Sequence, residues 1–308
     1  DFEDGYGVDV GWDWQTIESL SGRISYTGKQ NLARFGADLG PALTSKNLER
    51  TQEFLARGQY GGASLLSLEA AFVHRRLDYS AIQYDFLEFE QDAIRLGLLY
   101  RPSSAVTLGI AGRYTQGQYP FALQTAPGLF RADDYTRKDA DLTAVWVPTG
   151  QSTVRARLSL TKEVHETVAT RDVSQTTGAL GWDFKPTAKL AFTTELIRDT
   201  GAETAFSGLA GAGANAVGNN SQLSTSAVVR IGYEVTSKIQ LELSGRHVKR
   251  DLINTQGGAL PASGSDKLSE TRVGLTWAPL RSLLFGCSIG QEQRSSDSAL
   301  SYSYTTAL

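Results

Sequence analysis

The chain has 308 residues, a formal net charge of −3, one cysteine and no methionine. A single cysteine excludes an intramolecular disulfide framework, the lack of a basic block argues against a nucleic-acid partner, and no run of about 18 apolar residues is available for a transmembrane helix. Because a chain that starts at Asp1 and lacks methionine is not a primary translation product, we expect that a signal peptide or the ends of the protein are missing.

Alternating apolar and polar residues are the main pattern along the chain. In 152–162, for example, Val154 and Leu158 alternate with Arg155 and Arg157, a period of two that fits a strand and not a helix. Many such segments reach about 9 to 11 residues, the length with which a tilted strand crosses a bilayer. We predict about fifteen strands, over 6–14, 18–28, 49–58, 64–77, 91–100, 105–115, 136–147, 152–162, 174–184, 189–199, 223–235, 238–250, 268–278, 282–294 and 299–308.

The connections between these segments fall into two classes. Short ones are marked by proline, glycine or serine and occur at 101–104, 148–150, 185–188, 236–237 and 278–280. Long polar ones occur at 29–48, 78–90, 116–135, 163–173, 200–222 and 251–267. All eight prolines lie in these connections and none within a predicted strand. Short periplasmic turns on one rim and long extracellular loops on the other are typical of outer-membrane barrels.

The sequence therefore predicts an all-β fold, a single transmembrane antiparallel β-barrel domain over 1–308 in the bacterial outer membrane. Single-chain bacterial barrels usually have an even number of strands. We expect about 16 to 18 strands in the whole protein, with at least one before Asp1 and with the last strand cut short near Leu308.

Aromatic residues cluster beside the short turns. Trp146, Trp182 and Trp277 lie just before such a turn, and Trp12 and Trp14 lie just before a further turn near Gln15. All five fall on the apolar side of the alternation. Indole and phenol rings prefer the headgroup level of a membrane. We predict a girdle at the membrane interface, formed by Trp12, Trp14, Tyr100, Trp146, Trp182, Tyr233 and Trp277.

The polar half of the alternation is expected to line the lumen. The charged candidates are Arg23, Glu53, Arg57, Glu69, Arg75, Arg95, Arg113, Asp141, Arg155, Arg157, Asp183, Glu195, Arg230, Glu234, Glu242, Arg246, Arg272 and Glu292. Such charges either select what passes through a wet pore or pair with opposite charges on neighbouring strands and brace the wall. Both roles stay open. An excess of arginine would suit an anionic polymer, because guanidinium binds carboxylates in a bidentate way.

Catalytic and metal sites are not expected. Of the three histidines, His74 and His247 fall on the apolar face near the outer end and His165 falls in a loop. No motif for a catalytic triad and no spacing of metal ligands is present, so we expect no enzyme, no metal and no cofactor. The glycine-rich stretch 208–218 lacks the flanking strand and helix of a nucleotide-binding loop. Aromatic residues in 116–135 either stack on sugars or pack the loop, and Cys287 is expected to face lipid.

Several segments resemble the outer-membrane barrels encoded with bacterial exopolysaccharide biosynthesis genes, the EpsL-like proteins. They are DLTAVWVPTG at 141–150, RARLSLTKEVH at 155–165, WDFKPTAKL at 182–190, RDTG at 198–201 and the stretch 49–120, which ends in RYTQGQYP. The resemblance implies export or assembly of a secreted polysaccharide. It also implies partners in the form of a polysaccharide chain and periplasmic or inner-membrane export proteins. It carries over no catalytic residue.

Two other functions remain open from the sequence. Barrel physics without the resemblance would equally fit a general diffusion or substrate-specific porin, which should fold a constricting loop into its lumen. An outer-membrane lipid-modifying enzyme, with serine, histidine and an acid at the outer rim, is the less favoured alternative.

Overall fold

The computed structural model describes residues 5–16, 19–32, 47–62, 64–126, 128–200, 221–254, 262–280, 283–296 and 302–307. These residues form one antiparallel sheet of 15 strands. The strands are β1 Tyr6–Gln15, β2 Leu20–Leu32, β3 Leu48–Tyr60, β4 Leu66–Tyr79, β5 Phe89–Ser103, β6 Val106–Ala126, β7 Leu129–Thr149, β8 Ser152–His165, β9 Val173–Thr187, β10 Leu190–Asp199, β11 Ser221–Thr236, β12 Ile239–Asn254, β13 Ala262–Leu280, β14 Leu283–Ser296 and β15 Tyr302–Ala307. Two short 3-10 helices, Ile82–Leu87 and Ala169–Arg171, lie in connections.

Every strand pairs with the next one along the chain. In this up-and-down order, the connections that follow odd-numbered strands all lie on one rim, which we call the short-turn rim. The connections that follow even-numbered strands lie on the opposite rim, which we call the long-loop rim. Backbone hydrogen bonds link neighbouring hairpins at the short-turn rim, from Arg101 to Leu65, Val147 to Ala105, Lys185 to Gln151, Glu234 to Lys189 and Ala278 to Lys238. The predicted turns at 101–104, 148–150, 185–188, 236–237 and 278–280 therefore share one rim.

The sheet is apolar on its outward face and polar on its inward face. Leu96, Leu142 and Leu160 are exposed on the outward face, whereas Asp139 and Arg137 are buried on the inward one. The apolar outward face and the polar inward face follow from the period-two alternation, because successive side chains of a strand point to opposite faces. In a membrane barrel the apolar side chains face lipid. No helix in the part of the chain that the structure describes is long and apolar enough to cross a membrane.

Strand number and approximate positions agree with the sequence prediction, but many strands are longer than predicted. Strands β12 and β13 extend into the predicted connection 251–267, and the prolines predicted in short turns are the penultimate residues of β5, β7, β9 and β13, namely Pro102, Pro148, Pro186 and Pro279. Two further corrections concern the long-loop rim. The connection predicted at 116–135 is a continuation of β6 and β7, which pair as far as Ala126 and Leu129. Pro120 therefore lies inside β6, where the pairing register shifts between Tyr119 and Leu123. Proline has no N–H for the ladder, so the strand accommodates it as an irregularity.

The second correction concerns His165, for which the sequence predicts a loop. It is the last residue of β8 and its side chain is buried on the inward face. A histidine in a polar context carries no sequence signal for burial, because its burial depends on the partners that neighbouring strands provide. The glycine-rich stretch 208–218 and the loop prolines Pro41, Pro127 and Pro261 lie outside the described residues.

Candidate functional site: the lumen wall

Four arginines form a continuous row on the inward face of β2 to β6. Arg23 is directly opposite Arg57, Arg57 opposite Ala71, Ala71 opposite Arg95 and Arg95 opposite Arg113. Like charges placed directly across a strand pair repel each other. Carboxylates from neighbouring positions form ion pairs with all four arginines and offset this repulsion.

Glu69 neutralises the middle of the row. Its two carboxylate oxygens accept hydrogen bonds from Arg57 and from Arg95. Arg95 also reaches Asp141 on β7, with Nε 3.4 Å from Oδ2, and Ser159 donates to the other oxygen of Asp141 at 2.6 Å. These contacts join five strands, β3, β4, β5, β7 and β8, into one braced wall.

A second cluster is centred on Arg137 of β7. Its guanidinium donates to Asp139 through Nε and Nη2, at 2.9 to 3.1 Å, and to Asp199 of β10 at 2.8 Å. Arg113 and Arg157 complete the cluster, donating to Asp139 at 3.0 Å and to Asp199 at 2.6 Å. In each of these hydrogen bonds both the donor and the acceptor are charged, and such hydrogen bonds are stronger than those between neutral groups.

The carboxylates of the wall lie beneath the guanidinium groups. Glu69 has a side chain 5% exposed while that of its partner Arg57 is 49% exposed. Asp141 is 2% exposed against 24% for Arg95, and Asp139 is 0% exposed against 12% for Arg113. An arginine has five N–H donors, of which a single carboxylate engages only some. The surface that this part of the wall offers to the lumen is therefore formed by guanidinium groups.

The other predicted lumen residues also lie on the inward face, by register. Arg155 donates to Asp183 across β8 and β9, Arg75 to Glu53 at 2.7 Å, and Arg272 to Glu270 at 3.1 Å. The remaining candidates are placed by their cross-strand partners, Glu195 opposite Val228, Arg230 opposite Thr193 and Ser244, Glu234 opposite Gln240, Glu242 opposite Gly274, Arg246 opposite Glu270, and Glu292 opposite Glu270. The structure thus brings the candidates onto one face.

Near the long-loop rim the inward face carries a packed cluster that the sequence did not predict. Segment 80–88 follows β4, and its Tyr84 and Leu87 pack on the inward-facing Leu77, Phe89 and Tyr119. Their large apolar side chains are buried, as in an ordinary protein core. Segment 80–88 therefore folds into the barrel instead of extending away from it, and narrows this side of the lumen.

Aromatic stacking extends the constriction across β6 to β8. The ring of Tyr119 lies 5.5 Å from that of Tyr135 and 6.2 Å from that of His165, between centroids, and Arg171 lies 4.6 Å above Tyr119, within cation–π range. Gly117 is directly opposite Tyr135, and a Cβ there would lie 2.5 Å from the tyrosine ring. Glycine at this position is what leaves room for the ring.

Two partly buried acids, Asp85 and Glu88, belong to this segment. Glu88 accepts a hydrogen bond from the backbone N–H of Tyr79 at 2.8 Å, and its burial raises the pKa of the carboxyl to about 7. Burial also raises the pKa of Asp85. Burial disfavours the charged form of a carboxyl group, which is the physical cause in both cases.

Histidine contacts in the structure do not assemble a catalytic triad. His165 lies 2.8 Å from Asp133 and 3.2 Å from Glu163, both acids. On the outward face, His247 lies 2.9 Å from the hydroxyl of Ser269 and His74 lies 2.9 Å from Asp92. Neither outward pair has a third member among the described contacts, and a triad is recognised by all three roles together. In the described ranges no group of three or more histidine, cysteine, aspartate or glutamate side chains is arranged so that it could hold a metal ion.

The aromatic residues assigned to the girdle lie on the outward face beside the short-turn rim. Trp12, Tyr100, Trp146, Trp182, Tyr233 and Trp277 are exposed, and Trp14 is partly exposed. Trp146 is opposite Val154, which is opposite Trp182, so the two indoles stand at neighbouring positions along the rim. Cys287 is exposed on the outward face, opposite Leu275.

Comparison with solved structures identifies the fold. The FrpB iron transporter of Neisseria meningitidis, as the F5-1 variant apoprotein, matches with a TM-score of 0.54 and 10% identity over 95% of this chain and 51% of that one. BauA, the ferric preacinetobactin receptor of Acinetobacter baumannii, matches with a TM-score of 0.51 and 12% identity over 99% of this chain and 60% of that one. The chain thus spans little more than half the length of these structures.

No family model matches the sequence, and no curated protein matches it. At such low identity, the structural matches show the fold alone. The fold, together with the apolar outward face, defines the chain as a β-barrel of the bacterial outer membrane.

Proposed function

We propose that this barrel carries an anionic polysaccharide across the outer membrane during its export or assembly. The observation that supports the proposal best is the inward-facing wall on which guanidinium groups cover their own carboxylate partners, with Arg57 49% exposed above a nearly buried Glu69. Arg155 is likewise 54% exposed although it is paired with Asp183. Exposed guanidinium groups attract carboxylates of a passing chain.

The arrangement also suits release of the chain. Each arginine already has a carboxylate partner, so an anionic sugar competes for part of its donors and binds weakly at each site. Conduction needs binding that is favourable enough for entry and weak enough for exit. The polysaccharide class comes from the resemblance to EpsL-like proteins, which also implies periplasmic or inner-membrane export partners. The role is one of passage, and the chain performs no chemistry on the polymer.

A substrate-specific porin is the second candidate, and a specific observation favours it. Segment 80–88 packs inside the barrel against Leu77, Phe89 and Tyr119, as a constricting loop would. A constriction of this kind fits the passage of small solutes better than that of a polymer, unless the segment opens.

Deletion and complementation of the gene distinguish the two candidates. We expect deletion to reduce secreted polymer, and complementation with Arg57→Gln/Arg155→Gln to restore less polymer than the wild type at equal barrel abundance. The control is Arg76→Gln, because Arg76 is an ion-paired arginine of similar exposure (51%) on the outward face. If deletion leaves polymer secretion intact and slows the uptake of a small nutrient, the porin function replaces the export function.

A further inference from the structure

An apolar groove of about 1220 Å³ crosses the outward, lipid-facing surface from β5 to β12. Small residues, among them Ala156 and Gly178, line it between leucine side chains such as Leu158 and Leu180. Most of its lining residues occupy outward positions, and inward-facing ones such as Arg157 and Thr177 lie between them along the strands. Because outward side chains alternate with lumen side chains, the leucine-lined face of the groove is on the side of the sheet opposite to the lumen. It is a depression in the surface that is expected to face the acyl chains of the membrane.

A basic row borders the groove on the side of the long-loop rim. Arg198 is directly opposite Thr225, Thr225 opposite Lys249 and Lys249 opposite Lys267. Arg198, Thr225 and Lys249 also line the groove. The three cations of the row, Arg198, Lys249 and Lys267, are all exposed. The row is thus continuous across β10 to β13 and adjoins the apolar depression directly.

The height of this row corresponds to the outer edge of the apolar band. Strand β12 rises from Ile239 beside the short-turn rim to Lys249 over ten residues. At a rise of about 3.3 Å per residue and a tilt of about 40°, that distance is about 25 Å along the membrane normal. An outward-facing apolar band is about 25 Å tall. Lys249 therefore lies at the headgroup level of the leaflet on the long-loop side.

The positive charges of the two lysines in the basic row repel each other, and an anion bound there would offset this repulsion. Lys249 and Lys267 are directly opposite each other, a like-charge arrangement that destabilises a strand pair. Within the described ranges neither lysine has an ion-pair partner, and Asp251, which also lines the groove, makes no ion pair with Lys249. A bound phosphate would neutralise the pair and offset the repulsion.

From this geometry we propose that the groove and the basic row together bind one lipid, a phosphorylated and acylated glycolipid of the lipid A type. The leaflet beyond the long-loop rim of an outer-membrane barrel is the one built from such glycolipids. The acyl chains lie in the groove, and a phosphate contacts Arg198, Lys249 and Lys267. The chemistry of the site, several acyl positions beside three cations at headgroup level, matches this lipid. The inference is independent of what passes through the lumen.

The test uses the full chain in nanodiscs of zwitterionic phospholipid, with bisphosphorylated lipid A as the probe and native mass spectrometry as the readout. We expect the triple variant Arg198→Gln/Lys249→Gln/Lys267→Gln to bind lipid A about a hundredfold more weakly, since each cation near a membrane surface contributes about 1 kcal/mol. Lipid A without phosphates should bind the wild type with a similar loss. The control is Lys189→Gln/Lys238→Gln, which removes two cations next to the short turns.

A second pair of variants tests the groove itself. Ala156→Trp places an indole among the groove leucines and should reduce lipid A binding, whereas Ala70→Trp, on the outward face of β4 outside the groove, should not. The proposal is overturned if the triple variant keeps wild-type affinity, or if dephosphorylated lipid A binds equally well. It is also overturned if phosphatidylglycerol binds as tightly as lipid A, because the row would then be a general anionic belt.

Discussion

Arg137 on β7 and Asp199 on β10 are 62 residues apart in the chain, and their side chains meet inside the barrel with Nη2 2.8 Å from Oδ1. Both side chains are almost fully buried. A buried charge that loses its partner carries the full cost of desolvation. The contact therefore links β7 to β10, two strands that are not neighbours in the sheet, and losing it would destabilise this part of the barrel.

The first prediction follows from that pair. Arg137→Ala leaves Asp139 and Asp199 buried with fewer partners and should lower the free energy of unfolding by about 3 to 5 kcal/mol. Arg155→Ala is the matched control, because Arg155 and its partner Asp183 are 54% and 34% exposed and exposed pairs contribute about 0 to 1 kcal/mol. Denaturant titration of the barrel in lipid vesicles measures both. Equal losses for the two variants would mean that burial of the pair has no special effect.

The second prediction concerns the constriction. Tyr84→Ala removes a buried ring from the packing of segment 80–88, and truncation of large buried side chains costs about 3 to 5 kcal/mol. The segment should detach from the wall, and the single-channel conductance in planar bilayers should rise. Ile82→Ala lies in the same segment but alters an exposed side chain (69% exposed) and should leave the conductance unchanged. An unchanged conductance for Tyr84→Ala would show that the segment does not limit the lumen.

The third prediction concerns the pH dependence of the same segment. The pKa of Glu88 is raised from 4.5 to about 7 by burial, so the packed segment holds a proton that the open segment releases. The packing is therefore most stable below about pH 4.5 and weakens as the pH rises through 7. Hydrogen exchange of 80–88 should be slower at pH 5 than at pH 8 after correction for the intrinsic rate.

Two variants check the origin of that pH effect. Glu88→Gln cannot ionise and should make the protection of the segment nearly independent of pH. Glu90→Gln removes an exposed outward-facing carboxyl nearby and should leave the effect in place. Protection that increases with pH in the wild type would contradict a raised pKa for Glu88 in the packed segment.

The fourth prediction concerns the aromatic girdle. Because the tryptophans lie on the outward face beside the short-turn rim, their fluorescence in brominated lipids should be quenched most by bromine near the headgroup and least by bromine at the chain ends. A single-tryptophan variant that keeps only Trp146 gives the cleanest signal, and one that keeps only Trp182 should behave alike. Stronger quenching from the chain ends would place the indoles at the bilayer centre and exclude a girdle.

Local chemistry made much of the fold readable from the sequence. Alternation such as Val154 with Arg155 fixes both the strand and its two faces, since adjacent side chains of a strand cannot share a face. Prolines marked the strand ends, as at Pro148, the penultimate residue of β7, where the pairing register shifts between Trp146 and Thr149. The outer half of the β6–β7 hairpin was not predictable in this way, because it is polar, extends past the membrane and has the composition of a loop.

The sequence by itself determined which side chains share a face of the sheet, because that property depends only on position within a strand. Only the tertiary structure decided which charges meet. Whether Arg57 contacts Glu69, or Arg137 reaches Asp199, depends on strand order, register and the curvature of the sheet, and none of these is encoded in the alternation. Segment 80–88 likewise packs against the inward face because residues from several strands form its contact surface, and no local sequence pattern predicts such a surface.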